Sequence, residues 1–281
     1  MSQEILINIT PQETRVAIIE QNAVQELHIE RTRQRGIVSN IYLAKVVRVL
    51  PGMQSAFIDI GLDRAAFIHF NDLGDHPAGG QIEKILFEGQ TLLVQVLKDP
   101  LGTKGARLTR QISIAGRNLV YLPQDHRSLG TEIHIGISQK IEVPEEREAL
   151  KNRLKGLIPA DESGGIIVRT SAGVASDETL IADLKYLRTT WQGILQASKE
   201  KAAPALLHQD LSLAKRVLRD MAGPETTQIR VDSAENFERL SQFAQTFTPQ
   251  LSSKLVLYRG ERALFDLFDI HELEKYMSKD E

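Results

Sequence analysis

Pro51-Gly52-Met53-Gln54-Ser55-Ala56-Phe57-Ile58-Asp59-Ile60-Gly61, followed by Ala66-Phe67-Ile68-His69, reads as two short strands of alternating apolar and polar residues. A turn at Gly61-Leu62-Asp63-Arg64 joins them. A period of two sends every second side chain to the same face, so Phe57 and Phe67 are candidate neighbours on an antiparallel pair. Two readings of the rings stand at this point. Either they fill a core, or they lie on an exposed sheet and stack on the bases of a single-stranded nucleic acid. Stacking contributes roughly 1–3 kcal/mol per base, and Lys45, Arg48, Arg64 and Lys104 are near enough in sequence to hold phosphates.

Around this hairpin the pattern continues as short strands over residues 41–49, 53–60, 65–69, 91–98 and 106–111, with Gly and Pro at most breaks. That number of strands with aromatics on one face predicts a closed Greek-key OB-fold barrel. The segment 71–88, containing His76-Pro77-Ala78-Gly79-Gly80, reads as a loop, and Asp99-Pro100-Leu101-Gly102-Thr103-Lys104-Gly105 as a second, basic one. Upstream, residues 3–31 form a three-stranded meander too small to bury a core alone. It therefore completes a domain whose remainder lies later in the chain. Residues 119–212 mix strands at 133–137 and 165–170 with helices at 144–157 and 176–198. The second helix carries Leu180, Leu184, Leu187, Trp191 and Ile194 as a buried stripe, with Ser176 as its cap and Asp183 near its start. Residues 205–281 alternate helix and strand, with strands at 229–232 and 255–258, an α/β segment suited to adopt the opening meander into one sheet. The fold class is α+β and multidomain.

At 281 residues, 42% apolar and 25% charged, the composition is that of an ordinary globular chain of more than one domain. No apolar run approaches the ~20 residues that span a bilayer, and the polar start Met1-Ser2-Gln3-Glu4 is unlike a signal peptide. Zero cysteines exclude disulfides, thiol nucleophiles and thiolate metal sites, and fit a reducing, cytoplasmic compartment. A formal net charge of −3 excludes a bulk polycation, so any grip on nucleic acid rests on local patches.

The run Gly164-Gly165-Ile166-Ile167-Val168-Arg169-Thr170-Ser171-Ala172-Gly173 ends a buried strand at an Arg fork, two hydroxyls and a turn. Such a strand exit suits a phosphate cradle built from the guanidinium and unpaired backbone amides. It equally suits an Arg paired with an acidic neighbour and a Thr that starts a turn. Carboxylates for a hydrolytic metal are not assembled: Asp266 and Asp269 fit surface charges, Asp59 and Asp63 flank a turn, and His69, His76, His126, His134 and His208 are scattered. No phosphate-loop or dinucleotide fingerprint is present.

Read together, several stretches resemble the ribonuclease E/G family. They are Asn8-Ile9-Thr10-Pro11, His28-Ile29-Glu30-Arg31, Arg35-Gly36-Ile37-Val38, Arg48-Val49-Leu50-Pro51-Gly52-Met53-Gln54, Lys98-Asp99-Pro100-Leu101-Gly102-Thr103-Lys104-Gly105-Ala106-Arg107-Leu108-Thr109, Ile167-Val168-Arg169-Thr170, Arg216-Val217-Leu218-Arg219-Asp220 and Ser253-Lys254-Leu255. The resemblance covers essentially the whole chain in order. It implies an RNase H-like α/β domain, residues 1–35 plus 213–281, split by an inserted OB-fold RNA-binding domain at 36–115 and a small α/β 5′-sensor domain at 116–212. It implies that Phe57, Phe67 and Lys104 hold single-stranded RNA. It also implies that Arg169, Thr170, Gly116, Val120 and Lys140 bind a 5′-monophosphate end, with Gln139-Lys140 standing where some members have paired arginines.

The family's metal-binding aspartates lie in a later DNase I-like domain and its paired-cysteine zinc link lies further on. The resemblance therefore implies an inactive RNA-binding half of a Mg²⁺-dependent endoribonuclease of RNA processing and decay, with no catalytic residue and no zinc of its own. The complete protein is expected to be a homodimer without membrane attachment, acting in rRNA maturation and mRNA turnover. A non-catalytic RNA-binding or scaffold protein derived from the same family stays open.

Overall fold

In the computed structural model the described residues are 2–74, 80–125, 133–160, 162–268 and 270. His76-Pro77-Ala78-Gly79 of the expected loop, His126, Asp269 and the closing residues 276–281 lie outside them. The chain divides into two compact units, Met1–Arg35 with Leu211–Glu281, and Gly36–Asp210. Among the described residues no helix is long and apolar enough to cross a membrane.

The chain opens with the antiparallel strands β1 (Gln3–Ile9), β2 (Glu13–Glu20) and β3 (Ala23–Arg31). The second unit follows with β4 (Ile41–Leu50), β5 (Ser55–Asp59), β6 (Ala66–His69), β7 (Thr91–Lys98) and β8 (Arg107–Thr109). Their order is β4-β5-β6-β8-β7, and β7 pairs back onto β4, closing a five-stranded barrel of OB type. Small residues Ala44, Ala56 and Ala66 alternate with Val46, Ile58, Ile68, Val96 and Leu108 in its interior. The expected 71–88 loop is not all loop. A single 3₁₀ turn at Ile82–Lys84 drives Ile82 and Leu86 into the barrel core. One turn is too short to leave a periodic signal, so the sequence pattern misses it.

The same unit continues with β9 (Ile114–Ala115), β10 (Leu119–Leu122), β11 (His134–Ile137) and β12 (Gly165–Val168), ordered β11-β12-β10-β9. Helices α1 (Pro144–Leu157) and α2 (Asp177–Glu200) cover one face. Ser176 caps α2 by accepting the Thr179 amide, and the Leu180, Leu184, Leu187, Trp191, Ile194 stripe packs into the core under the sheet. Strand β13 (Ala205–His208) then returns to pair with β4. The buried Gln95 side chain ties barrel to sheet, donating to the carbonyls of Ser39 (3.0 Å) and Ser113 (2.8 Å) and accepting the Ser113 amide (2.9 Å).

The first unit is completed by α3 (Leu213–Arg216), β14 (Thr226–Val231), α4 (Ala234–Phe247), α5 (Pro249–Ser252) and β15 (Leu255–Leu257). Its sheet runs β15-β14-β1-β2-β3, with the β15, β14 and β1 pairings parallel. Both faces are covered. Ile5, Ile7, Ile229 and Val231 pack on the helical side, while Leu6, Ala17 and Ile19 meet Leu264, Phe265 and Ile270 on the other.

Candidate nucleic-acid interface

The barrel's strand parity places the two phenylalanines outside. Ala56 and Ile58 fill the interior from β5, as Ala66 and Ile68 do from β6, so Phe57 and Phe67 project outward. They are direct cross-strand partners. Phe57 is 41% exposed and Phe67 half-buried. The row extends in both directions. Arg48 stands opposite Phe57, because β4 bulges between Val46 and Arg48. Arg107 stands opposite Phe67, and Lys98 opposite Arg107 after a second bulge between Val96 and Lys98. Cation, ring, ring, cation, cation thus cross five adjoining strands in one register. Neighbouring strands lie about 4.8 Å apart. Asp72 holds the Arg107 guanidinium, accepting from Nε at 3.0 Å and lying 2.9 Å from Nη2. His69, one outward position beyond Phe67, accepts the Asn71 amide on Nδ1 (3.2 Å), which leaves its ring proton on Nε2.

Lys104 lies on the tight loop that leads into β8. Its backbone exchanges two hydrogen bonds with Leu101, 3.1 and 2.9 Å, around Gly102 at φ +55°. Arg64 donates to the Gly102 carbonyl. Gly105 permits the close passage, since a Cβ there would stand 1.9 Å from the Ala65 carbonyl oxygen. The next residue's carbonyl then accepts the Phe67 amide at 2.9 Å. Lys104 is exposed, three positions before Arg107 on the segment alongside Phe67.

The other candidate residues gather on the second sheet. The β9–β10 turn, the exit of β12 and the turn after β11 share one end of it, because Leu119 pairs with Val168 and Val168 with Ile137. Arg169 donates through Nη1 to the Gly116 carbonyl at 2.7 Å, so the structure brings these two together. Thr170 is exposed beside them. Among the described residues the amides of Arg117, Asn118 and Leu119 are already taken, all by the carboxylate of Asp183 at 3.0, 2.8 and 2.9 Å. At the Arg169 exit itself, the Arg169 amide bonds the Asn118 carbonyl at 2.8 Å and the Ala172 amide bonds the Arg169 carbonyl at 3.1 Å. Val120 lies between Ala115 and Ile167 on the sheet face away from the core, rather than in the turn itself. Lys140 is exposed on the turn after β11. Arg147 fixes that turn by donating to the carbonyls of Ile137, Ser138 and Ile141.

Burial pushes the Asp183 carboxyl above its usual range, while the three amides and the Arg169 charge act in the opposite direction. At the far end of the sheet, burial and the adjacent Glu162 raise the Tyr121 hydroxyl strongly, and Arg188 pairs with that glutamate at 2.6 Å. Asp59 forms its turn by accepting the Gly61 amide at 2.8 Å. Among the described residues no three His, Asp or Glu side chains converge to hold a metal ion.

Sequence reasoning missed Arg107, Lys98, Asp72 and Asp183. For Asp183 a signal existed, a charged residue at helical spacing inside the apolar stripe of α2.

The sequence profile of the Ribonuclease E/G family matches residues 113–280. The chain is 44% identical over 291 aligned residues to Ribonuclease G of Escherichia coli (strain K12), covering 99% of this chain and 58% of the relative. Ribonuclease G of Haemophilus influenzae is 42% identical over 280 residues, 95% of this chain and 55% of the relative. Ribonuclease E of Escherichia coli (strain K12) is 34% identical over 278 residues, 95% of this chain and 25% of the relative. The chain thus spans less than two thirds of the length of these relatives.

Proposed function

The chain belongs to the ribonuclease E/G family, and from that premise we propose that it forms the RNA-gripping and 5′-end-sensing part of a single-strand-specific endoribonuclease. The observation that carries the reading is the outward row Arg48, Phe57, Phe67, Arg107, Lys98. Rings on adjoining strands offer stacking platforms for successive bases, and the flanking cations meet the phosphates on either side. Lys104 adds a further charge at the edge of Phe67. The barrel is the OB-fold RNA-binding domain of residues 36–115, and the second sheet with its helices is the 5′-sensor domain of 116–212. Residues 1–35 with 213–281 form the RNase H-like domain.

In this reading Arg169, Thr170, Gly116, Val120 and Lys140 receive a terminal monophosphate. An Arg fork suits a phosphate better than a point charge does. Grip and sensor lie in one compact unit, tied by Gln95 and by β13, so an RNA end held by one is presented to the other in fixed geometry. Magnesium and the hydrolytic step belong to other residues of a complete, homodimeric, cytoplasmic enzyme of rRNA maturation and mRNA turnover.

The test is anisotropy binding of one short A/U-rich RNA carrying either a 5′-monophosphate or a 5′-hydroxyl, with Mg²⁺ present and the RNA inspected on a gel. Tighter binding of the monophosphate form without cleavage is expected. Cleavage by clean protein would place an active site within this chain. Arg169→Ala is expected to remove about 1.5–3 kcal/mol of the monophosphate preference, the range of a charged hydrogen bond. An equal loss for both RNAs would deny Arg169 that specific role.

The row makes a separate electrostatic prediction. Changing Arg48, Arg107 or Lys98 singly to alanine should lower the slope of log Kobs against log salt by about 0.7 each, with similar weakening across RNA sequences. An unchanged slope would remove that cation from the interface.

A further inference from the structure

The β9–β10 turn is bonded on two sides. Its three amides, Arg117, Asn118 and Leu119, all go to the Asp183 carboxylate on α2. Its three carbonyls go the other way. Gly116 accepts the Arg169 guanidinium at 2.7 Å, Asn118 accepts the Arg169 amide at 2.8 Å, and Arg117 accepts the Ser171 hydroxyl at 2.9 Å. A peptide plane has one orientation, so fixing where its N–H points fixes where its C=O points. Asp183 is 2% exposed, and Gly116 has no room for a Cβ, which would meet Asp183 Oδ1 at 2.4 Å. The carboxylate is thus packed hard against the turn it bonds.

We propose that Asp183 is a positioning residue for RNA 5′-end discrimination. It holds the β9–β10 turn in the one orientation whose carbonyls aim Arg169 at a terminal phosphate. The proposal rests on the 5′-monophosphate reading of this edge. It assigns Asp183 no contact with RNA, since its oxygens are buried and already bonded. The turn's amides are committed to α2, so on this reading phosphate recognition falls to Arg169, Thr170 and Lys140.

Asp183→Asn is nearly isosteric and folds around the same volume, but replaces one accepting oxygen by an NH₂ group that faces backbone donors. Wild type, Asp183→Asn and Arg169→Ala are compared as full chains, with the same short RNA bearing a 5′-monophosphate or a 5′-hydroxyl. Asp183→Asn should lower the monophosphate-over-hydroxyl affinity ratio at least fivefold and leave 5′-hydroxyl RNA binding, a property of the barrel, within twofold of wild type. Amide exchange at Arg117, Asn118 and Leu119 should rise in the variant. An unchanged ratio in Asp183→Asn, with the ratio lost in Arg169→Ala, overturns the positioning role and leaves the sensor standing. A ratio near one in the wild type instead removes the sensor itself. Equal weakening of both RNAs, or loss of the cooperative melting transition, means the carboxylate serves the fold and not end discrimination, and also overturns the proposal.

Discussion

Changing Phe57 and Phe67 together to alanine is expected to weaken binding of a short 5′-hydroxyl single-stranded RNA by roughly 2–6 kcal/mol, the sum of two base-stacking contributions. The physical basis is that the barrel does not need these rings. Its interior is filled by Ala44, Val46, Ala56, Ile58, Ala66, Ile68 and their neighbours, and Phe57 keeps 41% of its surface in water. Phe67 is half-buried, so its truncation costs some stability as well as affinity. Thermal melting beside anisotropy separates the two. A large affinity loss with a small melting shift assigns the rings to stacking. A lower melting temperature with RNA affinity unchanged would return both rings to ordinary packing, and the cations around them would lose their purpose. The single variants should each lose roughly half the effect if the two bases stack independently. A double-variant loss well below the sum of the two single losses would mean the bases bind as one stacked pair.

The sequence left two readings of the rings open and named Arg48 without its place beside them, and the reason for both is parity. An uninterrupted period of two puts Ala56 and Ile58 inside and Phe57 outside, and the same holds for β6. Read with that period, Arg48 falls in line with Ala44 and Val46, and Lys98 with Val94 and Val96, all interior positions. Both cations reach the surface only because each strand takes one extra residue at a bulge just before them. A bulge leaves no fixed mark in composition, and Val47 and Leu97 resemble any other strand residues. The 3₁₀ turn carrying Ile82 was hidden for a related reason, one turn being less than a period. The pairing of β13 with β4 was hidden by distance along the chain, since nothing local to Ala205-Leu206-Leu207-His208 names its partner. Long, strongly patterned elements such as α1 and α2 were readable to within a few residues, because capping and stripe agree there. The sheet edge at Arg169 was half legible. Arg169 and Thr170 stand out at a strand exit, but the consumption of the turn's amides by Asp183 is a tertiary fact, announced only by a charge set among leucines.

Gly105→Ala is expected to cost about 3 kcal/mol of stability and to weaken RNA binding with it. The added Cβ would stand 1.9 Å from the carbonyl oxygen of Ala65, 2.9 Å from its carbon and 3.2 Å from the Ala66 Cα. These are backbone atoms at the start of β6, so no side chain can swing aside. Either β6 or the segment entering β8 must move, and overpacking of this kind typically costs 1–3 kcal/mol or more. For a unit of this size, about 3 kcal/mol corresponds to a melting shift of roughly 6–12 °C. The same movement parts Phe67 from its partner Arg107 and from Lys104, because the Phe67 amide bonds the carbonyl of Ala106, the residue that follows the substitution. Gly52→Ala serves as the control: nothing lies within 4 Å of its Cβ position, and Gly52 is not among the positive-φ glycines, so melting and RNA binding should stay near wild type. Wild-type melting in Gly105→Ala would mean that the basic loop does not pass against β6, and Lys104 would then have no claim on an RNA held at Phe67. A lowered melting temperature with undiminished RNA affinity would be equally informative. It would confine the close approach to stability and shift the grip toward the Arg48 side of the row.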